Sequence, residues 1–143
     1  MVAPAYYGSE HHMDDAVRQA LDTDQLIDIT TTGRQSGEAR RLETWLYRAS
    51  GKHYLTGRPG PRSWLANLTA DPTLIVHVKV SASADVPATG RVISDDAERR
   101  AVLGEIVGQR RAAVEATGGD TSPYDLDAWV ARAPLVELTL GDV

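Results

Sequence analysis

Cysteine is absent from this chain of 143 residues. Disulfides, thiol nucleophiles and cysteine-ligated metals are thereby excluded, and the composition carries no redox-compartment signal. No stretch approaches the ~18 apolar residues of a membrane-spanning helix, so no integral membrane segment is expected. The opening segment, Met1 to Glu10, lacks both a basic region and an apolar run, so it does not read as a secretory signal. A cytoplasmic protein with residues 1–8 flexible is the expectation. Excess positive charge is missing as well. The net charge of −5 argues against nucleic acid as a partner, because binders of that kind carry a basic surface. The His11-His12 pair has no third ligand at helical spacing, which speaks against a metal site. Also missing are a Walker loop, a catalytic triad and paired carboxylates at helical spacing. An enzyme made from this chain must therefore take its hard chemistry from a cofactor.

With 42% hydrophobic and 24% charged residues, the chain has the makings of one domain over residues 1–143, with a core that needs no staples. A helix is expected from about residue 10 to residue 22, with Met13, Val17, Ala20 and Leu21 on its apolar stripe. Gln25 to Thr32 reads as a strand, and Gly33 to Gly37 as a turn. Arg40 to Arg48 alternates, with Leu42, Thr44 and Leu46 on one face and Arg41, Glu43, Trp45 and Tyr47 on the other. That second face mixes charge with aromatic rings, as the wall of a ligand cleft would. Ala49-Ser-Gly51 reads as a hairpin turn into a strand from Lys52 to Thr56. Gly60-Pro61 is expected to open a short helix through Ala70, with proline in its first position. Strands follow at Thr73 to Val80 and Val86 to Ile93. Asp95-Asp-Ala-Glu98 resembles a capping box for a long helix with Val102, Ile106 and Ala113 on its stripe, flanked by Leu103, Val107 and Val114. A short helix within Pro123 to Arg132 and a strand from Leu135 to Leu140 complete the chain. Hairpins early and helices late indicate a mainly β, α+β protein: an antiparallel barrel with helices packed on it.

Chemistry concentrates in two stretches, Thr30-Thr-Thr-Gly-Arg-Gln-Ser-Gly37 and Gly57-Arg-Pro-Gly-Pro-Arg-Ser-Trp64. Each sets arginine beside glycine where a strand ends. Arg34, Arg40, Arg41, Arg58 and Arg62 together suit an anion clamp, because a guanidinium meets a phosphate through two parallel hydrogen bonds. The helix start near Ser63 and Trp64 adds free amides and the positive end of the helix dipole. Trp64 and Asn67 share a helix face, so the indole has the position to stack on a planar ring and the amide to read its edge. The plain alternative is a core tryptophan beside a surface amide. Tyr124 and Trp129 either line a substrate pocket or cover the core. His77, inside an apolar strand, reads as a hydrogen-bonded core residue.

Thr30 to Arg41 is similar to the Thr-Thr-Gly-Arg-Lys-Ser-Gly-x-Pro-Arg stretch of the deazaflavin-dependent nitroreductases. Trp64-Leu-Ala-Asn-Leu68, followed by Asp71-Pro72, resembles that family's Trp-x-x-Asn-Leu-x-x-Asn-Pro segment. The resemblance implies a split β-barrel that binds coenzyme F-420 and transfers hydride to a small electrophile such as an enone, quinone or nitro compound. By the same resemblance, Arg34 and Arg40 lie at the cofactor's anionic groups, and Trp64 and Asn67 border the deazaflavin. The Thr56 to Gly60 loop approaches the cofactor with its backbone, and Tyr124 bonds the developing anion of the substrate. The chain departs from the family pattern at Gln35, at Glu43 and in the shortened loop Gly57-Arg58-Pro59-Gly60. FMN in place of F-420, or a non-catalytic barrel carrying a cofactor or fatty acid, are the alternatives. Pairing into a homodimer is compatible with such a barrel, and no exposed apolar stripe demands it.

Overall fold

The computed structural model describes residues 13–141. The expected residues 1–8 and the His11-His12 pair lie outside the described residues. Six antiparallel strands close into a barrel in the order β1-β2-β3-β6-β5-β4. They are β1 (Leu26–Thr32), β2 (Ala39–Ala49), β3 (Lys52–Thr56), β4 (Thr73–Val78), β5 (Ala84–Val92) and β6 (Leu135–Leu140). Four helices accompany them: α1 (Asp15–Thr23), α2 (Ser63–Ala70), α3 (Asp96–Ala116) and α4 (Leu126–Arg132).

Alternation drives closure. Ile27, Ile29, Leu46, Leu55, Val76, Val86 and Leu138 point inward and fill the barrel. The β2–β3 hairpin turns through Ser50 and Gly51, at φ of 50° and 76°. Two left-handed residues in succession match the twist of the strands they join. Gly90 is needed for a different reason: a Cβ there would come within 2.8 Å of the Val136 side chain. That close approach lets α2 lay Leu68 across β5 and β6.

Helix α1 leads into the start of β1, and α2 lies at the opposite end of that strand, where Asn67 reaches Thr31. A second cluster forms outside the barrel. Leu103, Ile106 and Val107 of α3 pack with Tyr54, Ile93, Trp129, Val130 and Leu135. Ala113, expected on the same stripe, is exposed, while its neighbour Val114 still packs against this cluster. Asp95 caps α3 by accepting from the Glu98 amide at 2.9 Å, while the Glu98 carboxylate turns to Arg91 rather than completing the box. Helix α2 begins later than expected. Arg62 is its N-cap and Pro61 precedes the cap, so proline ends the loop instead of starting the helix. Strand β4 stops at Val78, and Val80 is 61% exposed, because the chain turns to let Ser81 donate twice to the buried Asp24.

Candidate active site

The Gly33 to Gly37 turn, the start of β2 and the start of α2 enclose a polar cavity of about 260 Å³, lined by Arg34, Ser36, Arg40, Ser63 and Asn67. Sequence dictates the turn: Gly37 sits at φ 72°, and its amide donates to the Gly33 carbonyl at 2.8 Å. A Cβ on Gly33 would meet Ser36 Oγ at 2.6 Å, so the tight loop excludes a side chain there. Asn67, 6% exposed, fastens this loop to α2. Its Oδ1 accepts from the Arg34 amide at 3.1 Å, and its Nδ2 donates to Thr31 Oγ1 at 3.2 Å. Arg34 and Arg40 extend into solvent. Arg40 meets Glu38 at 3.3 Å, an exposed pair of the kind that contributes little and dissociates readily. Arg62 gives α2 no side-chain cap, which leaves the first helix amides to a ligand.

A second cavity, of about 190 Å³, lies between β2 and α3, lined by Leu46, Tyr47, Arg48, Gln109, Arg110 and Ala113. Glu105 accepts from the Ser50 amide and hydroxyl at 2.9 and 2.8 Å, and Gln109 donates to the Arg48 carbonyl at 3.0 Å. These bonds set Arg110 over Trp45, with its Cζ 4.8 Å from the ring centre. Arg110 also faces Tyr124 at 5.7 Å, and Arg58 approaches the same phenol ring at 5.8 Å. Tyr124 is held in turn by Trp129, at 5.8 Å between ring centres, and by Arg111, which donates to its carbonyl at 3.0 Å. Trp129 itself donates to the Pro123 carbonyl at 2.9 Å.

Two neighbouring phenols are pulled in opposite directions. Burial raises the pKa of Tyr47 above the ordinary tyrosine value. Burial acts the same way on Tyr124, but the Arg110 and Arg58 guanidiniums outweigh it and hold that phenol below the ordinary value. Tyr124 is therefore the better proton donor of the two.

The sequence-derived set divides between these places. Arg34, Arg40, Ser63 and Asn67 meet at the polar cavity. Arg58 and Tyr124 meet beside Arg110. Arg41 joins neither. It faces outward from β2 and bonds Asp28 at 3.1 Å, in a network where Lys79, with burial opposing and Arg41 assisting, lowers the pKa of Asp28. Trp64 is 4% exposed and packs in the barrel core, so the plain alternative describes it and its indole offers no face to a ring. The Thr56 hydroxyl is committed to the Pro134 carbonyl. Around Gly57 and Gly60 the Arg62 guanidinium folds back onto the loop, donating to the carbonyls of Arg58 at 3.0 Å and Gly60 at 3.1 Å. His77 is the expected core histidine, with its ring nitrogens each 2.7 Å from Thr30 Oγ1 and Asp85 Oδ1. Sequence reasoning missed Arg110. The available signal was its place on the buried stripe of α3, seven residues beyond Leu103 and four beyond Ile106.

A family model described as F-420H(2)-dependent quinone reductase matches residues 9–122. The chain belongs to that family. It is accordingly an oxidoreductase that uses coenzyme F-420. No curated protein sequence matches the chain. Among solved structures it is similar to a domain-swapped dimer, at 20% identity over 81% of each chain with a TM-score of 0.50. It is also similar to a Clostridium acetobutylicum protein of the pyridoxinephosphate oxidase family, related to general stress protein 26. That likeness has 11% identity over 87% of this chain and 80% of the other, with a TM-score of 0.60. A conserved hypothetical protein of Mycobacterium tuberculosis matches at 13% identity over 90% and 81%, with a TM-score of 0.61. These likenesses establish the split-barrel fold.

The residues present fit a cofactor with anionic groups, since the polar cavity gathers two guanidiniums, two hydroxyls and a helix start. A larger cavity, about 760 Å³ between Thr30, Ile75, Pro87 and Thr139, has no charged side chain in its lining and suits those groups poorly. No helix among the described residues is long and apolar enough to cross a membrane.

Proposed function

We propose that the chain transfers hydride from reduced F-420 to a small electrophilic acceptor, with quinones first and enones or nitro compounds as further members of the class. The observation that carries this reading is the division of basic side chains into two sets, one polar and solvent-facing, the other walled by aromatic rings. Coenzyme F-420, when bound, supplies a hydride. Arg34 and Arg40 clamp its anionic groups, Ser63 and the first amides of α2 add donors, and Asn67 keeps the Gly33 to Gly37 turn in place for them. The backbone of the Thr56 to Gly60 loop, braced by Arg62, forms the border between the two sets. On the acceptor side, Tyr124 donates a proton to the oxygen that gains charge as hydride arrives, and Trp45 and Tyr47 exclude water from that oxygen. A homodimer is compatible with this reading, because one similar structure is a domain-swapped dimer; analytical ultracentrifugation measures it.

The test is a fluorescence titration of F-420 into the purified chain. An Arg34→Ala, Arg40→Ala double variant is expected to bind about a hundredfold more weakly, the loss appropriate to two charge-assisted contacts. Unchanged affinity overturns the assignment of the cavity. FMN serves as the control ligand and is expected not to saturate the protein.

A further inference from the structure

Among the described residues Arg110 and Arg58 are cations without a counter-charge. No carboxylate among the described residues lies within ion-pair distance of either. Both nonetheless converge on one phenol ring, at 5.7 and 5.8 Å. Arg110 is in addition half-buried, pressed on Trp45, and its Nε is shut from solvent with no hydrogen-bond partner. Other arginines of the molecule show how such groups are ordinarily satisfied. Arg99 serves four backbone carbonyls, Arg48 serves two, and Arg91 is paired with two glutamates. Two guanidiniums that share one phenol ring, beside the cavity that Tyr47 and Arg110 line and next to the Trp45 ring, offer a receptor for a flat ring that bears a negative charge.

We infer that the cleft between α3 and the β3–α2 loop selects anionic acceptors, such as hydroxyquinone anions or carboxylated quinones, and that Arg110 and Arg58 are the specificity-determining residues. The inference rests on the reading of this cleft as the acceptor side, with the cofactor's anionic groups at Arg34 and Arg40. It explains why the chain carries basic side chains in two separate places: one set answers the cofactor's charge and the other the acceptor's. The carbonyl oxygen of a bound ring then lies within the reach of Tyr124, while its charged substituent faces the guanidinium edges.

The experiment uses the full chain without F-420. Lawsone, a hydroxynaphthoquinone that is an anion at neutral pH, and the uncharged parent naphthoquinone are titrated separately. Quenching of tryptophan emission is the signal, since Trp45 lies under Arg110 and Trp129 beside Tyr124. Lawsone is expected to bind about ten- to a hundredfold more tightly than the parent, the ratio appropriate to charge-assisted contacts. Arg58→Gln and Arg110→Gln each reduce that preference, the double variant abolishes it, and added salt weakens it. Saturating F-420 leaves it intact. Equal affinity for the two quinones in the unaltered protein overturns the inference without reference to any variant. A preference that survives both substitutions overturns it too. Displacement of lawsone by F-420 also overturns it, by giving the arginine pair to the cofactor. Failure of the Arg34 and Arg40 titration described above would strike the cofactor cavity while leaving these quinone affinities standing, so the two failures are distinguishable.

Discussion

The polar cavity and the cleft under α3 both present arginines, yet they are built on opposite principles. In the cavity the basic groups stand exposed on a hairpin turn and a strand end, the Arg34 backbone fixed by the buried amide of Asn67 and the Arg40 backbone by its pairing with Thr31. In the cleft they are fixed by packing: Arg110 rides on a long helix clamped to β2 by Glu105 and Gln109, and Tyr124 is wedged between Trp129 and two guanidiniums. Exposed guanidiniums can follow a flexible anionic tail at small cost in desolvation. Packed ones keep a proton donor at one place and change its acidity. On the proposed function, the same residue type serves affinity in one region and chemistry in the other.

The largest expected effect breaks the cleft and spares the cavity. Arg99 holds the carbonyls of Ile93, Trp129, Val130 and Ala133, tying α4 to α3 and β5. Arg99→Ala leaves those acceptors without their shared donor and is expected to cost about 3 kcal/mol or more of stability, read from the urea midpoint. F-420 affinity of the remaining folded protein should stay as it was. Next comes Tyr124→Phe, which removes the proton and nothing of the shape; kcat should fall about 10²-fold with the KM for F-420 unchanged. In the proposed role of Tyr124 as proton donor the neutral phenol is the active form, so the rate of the unaltered enzyme is expected to decline as pH rises through the Tyr124 pKa, which lies below the ordinary tyrosine value. The phenylalanine variant should lack that decline. The smallest effect belongs to the cavity. Glu38→Gln releases Arg40 from its exposed partner and is expected to tighten F-420 binding by about twofold, within the range of surface pairs.

The barrel was legible because its strands alternate cleanly and its turns carry glycine where left-handed backbone is required. The β2–β3 hairpin, the Asp95 cap and the closing strand all follow from local chemistry. The start of α2 was less so: proline suits both the first helical position and the residue before a cap, and only the fold of Arg62 onto its own loop separates the two. Trp64 shows the same limit at the level of a site. Its spacing puts it on one helix face with Asn67, but the helix turns both inward, one into the barrel core and the other onto Thr31. Arg110 could not be joined to Arg58 from sequence, since more than fifty residues separate them and only the docking of α3 on the outside of β2 brings them to one phenol. Periodicity says which face of a helix is covered. It does not say what covers it.

Closure has a consequence for how copies of this chain can meet. Every strand of the ring already has a neighbour on both sides, down to the short three-residue register that joins β1 to β4. Pairing is nevertheless uneven: among the described residues Ala39 to Trp45 of β2 pair with β1 alone, because β3 takes up β2 only from Leu46 onward. A strand added by a second molecule has that one-sided stretch to pair with, while the rest of β2 is already occupied on both sides.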